Sequence, residues 1–353
     1  MLALAGYPLG LRFQFFDPDP NAPAAHLADN MFHTYSEEDA LARFAEGVDL
    51  ITYEFENVPV SAARLLNARR PVYPPPAALE MSQDRIVEKG ALSALGIPTP
   101  AFAPIGNGSD LNAEIASAIA QTGLPAVLKT RRMGYDGKGQ RVVASEAELR
   151  DAVNDLGSSD LILEGFIDFS AEYSLLSARN ISGEICFYPL VRNVHRGGIL
   201  RRSQTQTPSA PGELQAIAES YAQLLLKELD YVGVLAIEFF VVDGALVANE
   251  IAPRVHNSGH WTIEGAETSQ FENHLRAILD YPLGSTRLRG CVGMLNIIGS
   301  PPPVSDVLGI PGAHLHLYGK SSRPNRKIGH ITVLRDSEEQ LNAALEALER
   351  ITV

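Results

Sequence analysis

Two apolar segments that each carry a glutamate constrain the fold of this chain most strongly. Residues 234–242 are apolar apart from Glu238, and residues 245–251 are apolar apart from Asn249 and Glu250. Only Asp243-Gly244 separates the two runs, which predicts an antiparallel hairpin. Acids are seldom buried in such runs unless they are paired or bind a metal ion.

The turn decides whether the two acids share one face of the hairpin. A two-residue turn would place Glu238 opposite Asn249, whereas a three-residue loop with a glycine bulge would place Glu238 opposite Glu250. We predict the second register. Converging carboxylates repel each other unless they share a divalent cation, and their oxygens suit Mg²⁺ (or Mn²⁺) that bridges nucleotide phosphates. The alternative, two exposed acids on an edge hairpin, is disfavoured by the apolar flanks.

Length and charge narrow the class of protein. A chain of 353 residues is long enough for two or three domains. Its net charge of −13 argues against a groove for nucleic acid, and no apolar run reaches the ~18–20 residues that span a membrane. The apolar segment Met1–Leu11 lacks the features of a signal peptide. Cys186 and Cys291 lie in apolar, strand-like runs, which favours a reducing compartment, so we predict a cytoplasmic enzyme.

Strand-like and helix-like segments alternate over the first 80 residues, which predicts a doubly wound parallel sheet. Such a domain normally begins with a strand and a glycine-rich turn. Because Met1–Gly6 already has a helical pattern, we expect a Rossmann-like domain over residues 1–80 that lacks its first strand. The predicted strands are Leu11–Phe16, Asp49–Glu54 and Pro71–Tyr73, and the predicted helices are Glu38–Glu46 and Ser61–Ala68.

Residues 81–285 mix helices with sheet and predict an α+β domain, and residues 286–353 predict a small C-terminal α+β domain. Ser82 is the predicted N-cap, with Asp84 in the first turn, of a helix that ends at Gly96. The other predicted helices are Leu111–Thr122, Ala147–Asn154, Glu213–Leu229 and Ser269–Leu279. The predicted strands are Ala126–Thr130, Leu161–Glu164, Glu172–Arg179, Ile185–Leu190, Gly198–Arg201, Val234–Val242 and Ala245–Ile251.

A lysine and a glycine-rich loop indicate a phosphate-binding site. Lys129 ends the apolar run 125–129, and residues 134–140, Gly-Tyr-Asp-Gly-Lys-Gly-Gln, contain three glycines. Glycines allow positive φ and close approach to a ligand, and successive N–H groups can cradle phosphate. Each feature alone has an ordinary alternative, a surface lysine or a hairpin turn. Together they predict a clamp on nucleotide phosphates, distinct from the Walker pattern because no Gly-Lys-Ser/Thr opens a helix.

A dense polar segment follows the second acidic strand. It contains Arg254, His256, Asn257, Ser258, His260 and the single tryptophan, Trp261. The guanidinium of Arg254 offers a bidentate fork for a carboxylate or a phosphoryl group. The alternative is a polar loop that bonds to itself. So many anion-binding side chains beside a predicted metal site favour an anion-binding role.

The order of these residues resembles the ATP-grasp superfamily. Two motifs, Gly134–Gln140 and Arg254–Trp261, narrow the resemblance to the 5-(carboxyamino)imidazole ribonucleotide synthetases, the bacterial ATP-dependent carboxylases of purine synthesis. The segments Glu54–Asn57 and Arg323–His330 fit the same family. The resemblance covers essentially the whole chain.

This resemblance implies that ATP lies between two lobes of the central domain. Lys129 and Arg85 would contact phosphates, and Glu238 and Glu250 would hold magnesium. The loop that would close over the phosphates consists of Gly134, Tyr135, Asp136, Gly137, Lys138, Gly139 and Gln140. The adenosine would be held by Glu164 and the backbone of Gly165, Phe166 and Ile167 at the base, by Glu172 at the ribose, and by His195 and Asn249 along the pocket.

The resemblance also implies the other substrates. Bicarbonate would attack the γ-phosphate to give carboxyphosphate. This intermediate, or CO2 released from it, would carboxylate the exocyclic amine of 5-aminoimidazole ribonucleotide. Arg254, His256 and Asn257 would hold bicarbonate and its phosphorylated product. The residues implied for the ribonucleotide are Glu54, Tyr135, Asp136, Lys138, Lys320 and Arg326. The last two lie in a cationic tail segment, for which the alternative interpretation is a solvated loop. A homodimer is implied as well, whereas no nucleic-acid or membrane partner is expected.

Two other functions compete with this hypothesis. Another ATP-grasp ligase, such as a formate-dependent glycinamide ribonucleotide transformylase or a biotin carboxylase, would share the nucleotide site, but residues 134–140 and 256–261 argue against it. A non-catalytic ATP-binding module would not need both Glu238 and Glu250.

Overall fold

The chain forms three β-sheets with helices packed around them. The computed structural model describes residues 1–106, 108, 110–134, 137, 139–157, 160–205 and 212–352. The sheets have two, four and nine strands in these ranges. No helix in the described part of the chain is long and apolar enough to cross a membrane.

The N-terminal segment contains one parallel strand pair and one isolated parallel bridge, in the parallel direction that the alternation predicted. Its elements are α1 (Leu2–Gly6), β1 (Gln14–Phe16), β2 (Asp29–Met31), α2 (Glu38–Glu46), α3 (Val60–Asn67) and α4 (Pro76–Ser82). Strands β1 and β2 pair in parallel, and Ile51 forms a parallel bridge to Val72. Leu41, Phe44 and Leu66 of the helices pack into the core beneath them.

Two N-terminal predictions were wrong in detail. The predicted strands 49–54 and 71–73 are not strands, because only Ile51 and Val72 pair, in one isolated parallel bridge. The carboxylate of Glu54 instead accepts a hydrogen bond from the N–H of Leu2 at the start of α1 (3.1 Å). Strand β2 was not predicted, since Asp29-Asn30-Met31 carries no apolar alternation.

A helix and a four-stranded antiparallel sheet come next. Their elements are α5 (Arg85–Ala94), β3 (Phe102–Ile105), α6 (Leu111–Thr122), β4 (Ala126–Thr130), β5 (Gln140–Val143), α7 (Glu146–Leu156) and β6 (Leu161–Gly165). The strand order is β3-β6-β4-β5. Helices α6 and α7 cover this sheet, and Ile115, Leu149 and Leu163 lie in the shared core.

The N-cap of α5 is Asp84 and not Ser82, which is the last residue of α4. The Asp84 carboxylate accepts a hydrogen bond from the N–H of Ile86 (3.0 Å). It also accepts from the guanidinium of Arg131 (3.0 and 2.7 Å). Asp84 therefore caps α5 and also pairs with Arg131 after β4, an ion pair that a serine could not form.

The nine-stranded sheet and its helices make up the rest of the described chain. The elements are β7 (Ala171–Arg179), β8 (Ile185–Phe187), β9 (Val191–Arg196), β10 (Ile199–Thr205), α8 (Gly212–Glu228), β11 (Gly233–Val242), β12 (Ala245–Ala252), α9 (Thr262–Gly265), α10 (Gln270–Ile278), β13 (Cys291–Ile298), α11 (Val304–Leu308), β14 (Ala313–Leu317), β15 (Lys327–Arg335) and α12 (Glu338–Thr352). The order is β12-β11-β7-β9-β10-β13-β15-β14, with β8 beside β7. Because β13 pairs with β10, the C-terminal α+β segment continues the central sheet.

The predicted strand 185–190 is shorter in the structure, and β9 was not predicted. The strand β8 ends at Phe187, and Tyr188 and Leu190 are buried between the two strands. Because both side chains pack into the core, the apolar pattern continues beyond β8, and the sequence resembles one continuous strand.

Helix α8 packs one face onto the large sheet. Leu225 is fully buried beside Leu235 and Ile237 of β11, whereas the neighbouring Leu224 is 41% exposed. The two leucines are neighbours in the same helix and have the same side chain, but they differ in burial.

We predict that Leu225→Ala lowers the free energy of unfolding by about 2–5 kcal/mol, because it removes buried contacts and leaves a cavity. The matched change Leu224→Ala should alter it by less than about 0.5 kcal/mol. Urea titrations followed by circular dichroism measure both values. Equal losses in the two variants would contradict the packing of α8 described here.

Candidate active site

The hairpin of β11 and β12 places Glu238 opposite Glu250, as predicted, but the predicted loop was wrong. The turn has two residues, Asp243 and Gly244, at φ 49° and 81°, and Val242 pairs with Ala245. The register shifts between Glu238 and Phe239, so that Asn249 is an extra, bulged residue. A β-bulge inside the strand thus replaces the bulge that we expected in the loop.

The site residues meet in an open cleft between α5, β12 and the segment that follows β12. Its empty space is about 930 Å³, open solvent included. The predicted residues that line it are Arg85, Gly134, His195, Glu238, Glu250, Arg254, His256 and Asn257. Lining residues that were not predicted as site residues include Glu56, Glu88, Arg131 and Lys327.

Glu164, near the end of β6, is held by two lysines. Its Oε2 accepts a hydrogen bond from Lys129 Nζ (2.9 Å) and lies 3.3 Å from Lys89 Nζ. Burial raises the pKa of Glu164, but the two ammonium groups outweigh it and hold this pKa below its ordinary value. Its buried Oε1 has no hydrogen-bond partner among the described residues. An acceptor in this position fits a donor on a ligand, such as the amino group of a base.

The two opposed glutamates have different protonation behaviour. Burial raises the pKa of Glu238 to about 7, and the nearby charge of Glu250 adds to this effect. Burial also acts on Glu250, but Arg85, whose Nη1 lies 3.2 Å from Glu250 Oε2, and Lys129 hold its pKa below the ordinary value. A cation between the carboxylates would favour the charged form of both.

The acids fit a divalent cation together with oxygens from a bound nucleotide. Within the described ranges, no three histidine, cysteine, aspartate or glutamate side chains are grouped as a metal site. Mg²⁺ usually takes one or two carboxylates and completes its shell with phosphate and water oxygens. Glu238 and Glu250 supply such a pair. The buried Oδ1 of Asn249, which lacks a partner in the part of the chain described, is a further oxygen.

Two polar side chains of the segment after β12 are fixed by protein contacts. Arg254 Nη2 lies 2.6 Å from Glu56 Oε2 in the N-terminal segment. The side-chain amides of Asn257 and Asn296 exchange two hydrogen bonds (2.9 and 2.7 Å). Both side chains line the cleft with their positions already set, which lowers the entropy cost of holding a small anion.

The imidazole of His256 is held neutral. Its Nδ1 lies 2.8 Å from Ser258 Oγ, and its backbone N–H donates to Gln270 Oε1 (2.9 Å). Burial, with the positive charges of Arg254 and Lys327, keeps the pKa of His256 well below its ordinary value. His256 is therefore a neutral hydrogen-bonding group in the cleft.

The glycine loop is described only in part. Tyr135, Asp136 and Lys138 lie outside the described residues, so the predictions for them stay predictions. Gly137 has a φ of 75°, and a Cβ there would lie 2.8 Å from the carbonyl oxygen of Gly197, in the turn between β9 and β10. Gly139 is also at positive φ (68°), and Gln140 pairs with Lys129. At Gly137 the loop therefore approaches the large sheet closely and requires glycine.

The residues predicted for the ribose and the base lie beside the cleft. His195 Nδ1 is 2.8 Å from Glu172 Oε2. Burial lowers the pKa of His195, but this bond and the charge of Glu238 outweigh it and raise the pKa. The N–H groups of Gly165 and Phe166 donate to protein carbonyls (2.8 and 3.1 Å). Base recognition by this backbone would therefore fall to its carbonyl groups and to Ile167.

Three residues predicted for the ribonucleotide do not line this cleft. Glu54 is bonded to the start of α1. Lys320 is exposed and lies over the ring of Tyr318 (5.3 Å). Arg326 is half-buried and donates to Ser321 Oγ (2.8 Å). The tail cation that lines the cleft is Lys327.

Glu88 and Lys89 were missed by sequence reasoning. Lys89 is fully buried, and Glu88 is 2% exposed. Burial and the charge of Glu250 raise the pKa of Glu88 to about 8. A signal was present, because residues 85, 88, 89 and 92 lie on one face of a helix, and this face combines three charges with the fully buried Leu92.

Family models match three successive parts of the chain. They describe a ribonucleotide synthetase preATP-grasp domain over residues 1–83, an ATP-grasp domain over 90–271 and a phosphoribosylaminoimidazole carboxylase C-terminal domain over 293–344. The N5-carboxyaminoimidazole ribonucleotide synthase of Pseudomonas aeruginosa is 51% identical over 351 residues, which cover 99% of this chain and 96% of the relative.

Solved structures agree over the whole length. The N5-carboxyaminoimidazole ribonucleotide synthetase of Thermus thermophilus superposes with a TM-score of 0.95 at 54% identity, covering 100% of this chain and 95% of that one. The Aspergillus clavatus enzyme, solved with ADP and 5-aminoimidazole ribonucleotide, has a TM-score of 0.88 at 29% identity and covers 99% and 96%.

We predict that Glu238→Gln stabilises the metal-free protein at pH 8 but not at pH 5. The folded-state pKa is about 7 against an ordinary 4.5, so the folded protein binds more protons in this window and loses stability as pH rises through it. The neutral amide removes that loss. Melting temperatures in EDTA measure the difference between variant and wild type, with the exposed Glu228→Gln as control. A difference that does not grow from pH 5 to pH 8 would contradict the raised pKa.

Proposed function

The chain belongs to the N5-carboxyaminoimidazole ribonucleotide synthetase family of ATP-grasp ligases, and from this premise we propose that it carboxylates the exocyclic amine of 5-aminoimidazole ribonucleotide at the expense of ATP and bicarbonate. It is an ATP-dependent carbon–nitrogen ligase of purine biosynthesis. The observation that carries the proposal is one cleft that holds opposed acids, Glu238 and Glu250, beside Arg254, His256 and Asn257.

The first half of the reaction is the activation of bicarbonate. An oxygen of bicarbonate attacks the γ-phosphorus, the bond to the β-phosphate oxygen breaks, and ADP leaves, which yields carboxyphosphate. Arg85 and Lys129 are our candidates for contacting the phosphates. Glu238 and Glu250 would hold Mg²⁺ (or Mn²⁺), which when bound neutralises phosphate charge. Catalysis of this kind depends mainly on positioning and on charge stabilisation.

The second half transfers the carboxyl group to the amine. The amine nitrogen bonds to the carboxyl carbon, inorganic phosphate leaves, and the amine releases a proton. Arg254 is positioned by Glu56 for the anionic carboxyphosphate, and the neutral His256 adds a hydrogen bond without a competing charge. Exclusion of water protects this labile intermediate.

We also propose residues that bind the ribonucleotide. The candidates are Glu54, Tyr135, Asp136, Lys138, Lys320 and Arg326. Lys327, which lines the cleft, is a further cation within reach of a substrate phosphate.

Further proposals concern organisation. We propose domain boundaries at residues 1–80, 81–285 and 286–353, which lie close to the limits of the family models.

We also propose a homodimer and a cytoplasmic location. Cys291 is buried in β13 and Cys186 is half-buried in β8, which suits a reducing compartment.

The proposed function is tested by release of ADP in a coupled assay. We expect turnover only when ATP, bicarbonate and 5-aminoimidazole ribonucleotide are all present. Formate with glycinamide ribonucleotide is the matched alternative for a different ATP-grasp ligase. Turnover with that pair, or with ATP alone at the same rate, would refute the proposal.

We predict that Gly137→Ala raises the Michaelis constant for ATP roughly tenfold, because a Cβ adds strain at positive φ and meets the backbone of Gly197 as the loop closes. Gly183→Ala is the control, since Gly183 is also at positive φ (92°) but has open space around it. Steady-state kinetics separate the two. Similar Michaelis constants in both variants would contradict a close approach of the loop to β9 and β10.

A further inference from the structure

Three consecutive residues of β12 are each held by one residue of α5. Arg85 Nη1 lies 3.2 Å from the carboxylate of Glu250. Glu88 Oε1 accepts a hydrogen bond from the N–H of Ile251 (2.6 Å). Lys89 Nζ donates to the carbonyl oxygen of Asn249 (3.0 Å).

These contacts act at the bulge that sets the register of the two acids. Strand β12 stands at the end of the strand order in the described sheet, so its outer backbone groups have no neighbouring strand to pair with. Asn249 is the bulged residue, and the bulge brings Glu250 opposite Glu238. A buried carbonyl or N–H group without a partner destabilises the fold, because it has lost its hydrogen bond with water. Glu88 and Lys89 therefore supply the hydrogen bonds that this irregular backbone needs.

Lys89 makes a second contact that reaches the other end of the nucleotide site. Its ammonium lies 3.3 Å from Glu164 Oε2, and the side chain is fully buried. A buried ammonium is stable only when it is paired and hydrogen-bonded. Lys89 meets this need with one carboxylate from the small sheet and one carbonyl from the large sheet. It thus links the acid proposed for the base to the strand proposed for the metal.

We propose that Glu88 and Lys89 are positioning residues that fix the bulge at Asn249, keep Glu250 opposite Glu238, and set the distance between the metal site and the base site. The inference deepens the proposed function and rests on it, because it takes Glu250 as a metal ligand and Glu164 as a contact of the base. Arg85 holds the Glu250 side chain, whereas Glu88 and Lys89 hold the backbone on either side of it.

A purely structural role predicts a different result from a positioning role. A structural pair would lower stability and leave the metal-dependent part of nucleotide binding unchanged in the folded protein. A positioning pair would reduce the gain in ADP affinity that a divalent cation provides, because Glu250 would no longer be held in place. Partners that orient metal ligands typically contribute about 10–100-fold to metal affinity or activity.

The decisive variant is Lys89→Met, which removes the ammonium and keeps a stem of similar volume. Titration calorimetry measures ADP affinity with Mn²⁺ and with EDTA, and electron paramagnetic resonance measures Mn²⁺ bound to the ADP complex. We expect the Mn²⁺-dependent gain in affinity to fall about 10–100-fold. The exposed Lys227→Met should keep the wild-type gain. A Lys89→Met protein with a gain within about twofold of wild type would overturn the proposal.

A second series at Glu88 guards against loss of the fold. Glu88→Leu removes the acceptor for the Ile251 N–H, whereas Glu88→Gln retains an oxygen in that place. We expect Glu88→Leu to lose the Mn²⁺-dependent gain and to lower kcat, with the Michaelis constant for 5-aminoimidazole ribonucleotide unchanged. Glu88→Gln should recover most of the loss. Equal behaviour of the two variants would overturn the proposal, and so would failure of both Lys89→Met and Glu88→Leu to fold.

These measurements are independent of the carboxylation assay. If the wild type binds ADP with Mn²⁺ but does not consume 5-aminoimidazole ribonucleotide, the proposed reaction fails while the positioning role is still measured. If the wild type carboxylates the ribonucleotide and the variants keep the Mn²⁺-dependent gain, the positioning role fails alone.

Discussion

The site depends on the mutual neutralisation of charges buried between α5, β6 and β12. Lys89 and Lys129 face Glu164, and Arg85 faces Glu250. The buried ions Lys89 and Glu164 would each cost several kcal/mol without a partner, whereas the side chain of Glu250 is 39% exposed and its pairing with Arg85 contributes less. Helix α5 can pack on the edge of the large sheet only in an orientation that satisfies these pairs. The same pairs therefore fix the positions of the acid proposed for the base, the cations proposed for the phosphates and one acid proposed for the metal relative to one another.

Preorganisation of these charges explains how the cleft can serve a highly charged reaction. Arg85 keeps the pKa of Glu250 below its ordinary value, whereas burial raises the pKa of Glu238 to about 7. A divalent cation held by these two acids, as we propose, would meet one ligand already charged and a second that ionises on binding. Groups that are fixed before the reaction need no reorganisation when charge moves from the γ-phosphate to ADP. The side chains proposed for anion binding follow the same rule, since Glu56 and Asn296 hold Arg254 and Asn257 in place.

Most regular elements and the central acids could be predicted from sequence, whereas irregular backbone and buried cations could not. Helix α6, helix α2 and strand β4 have the predicted limits because their apolar periodicity and end signals agree. The sequence correctly predicted that Glu238 lies opposite Glu250. The bulge at Asn249 was not predicted, because it depends on hydrogen bonds from α5, which is far from β12 in sequence. Lys89 was missed because a lysine in a helix is usually exposed. Its burial follows from the position of Glu164, which only the tertiary structure brings close.

The most direct test of the central claim is to follow oxygen from bicarbonate. Wild-type protein would turn over ATP and 5-aminoimidazole ribonucleotide with fully ¹⁸O-labelled bicarbonate, and mass spectrometry would analyse the phosphate released. If the cleft activates bicarbonate as carboxyphosphate, one labelled oxygen appears in each phosphate, because the oxygen that attacked the γ-phosphorus leaves with it. Phosphate without label, formed while the ribonucleotide is carboxylated, would contradict this account.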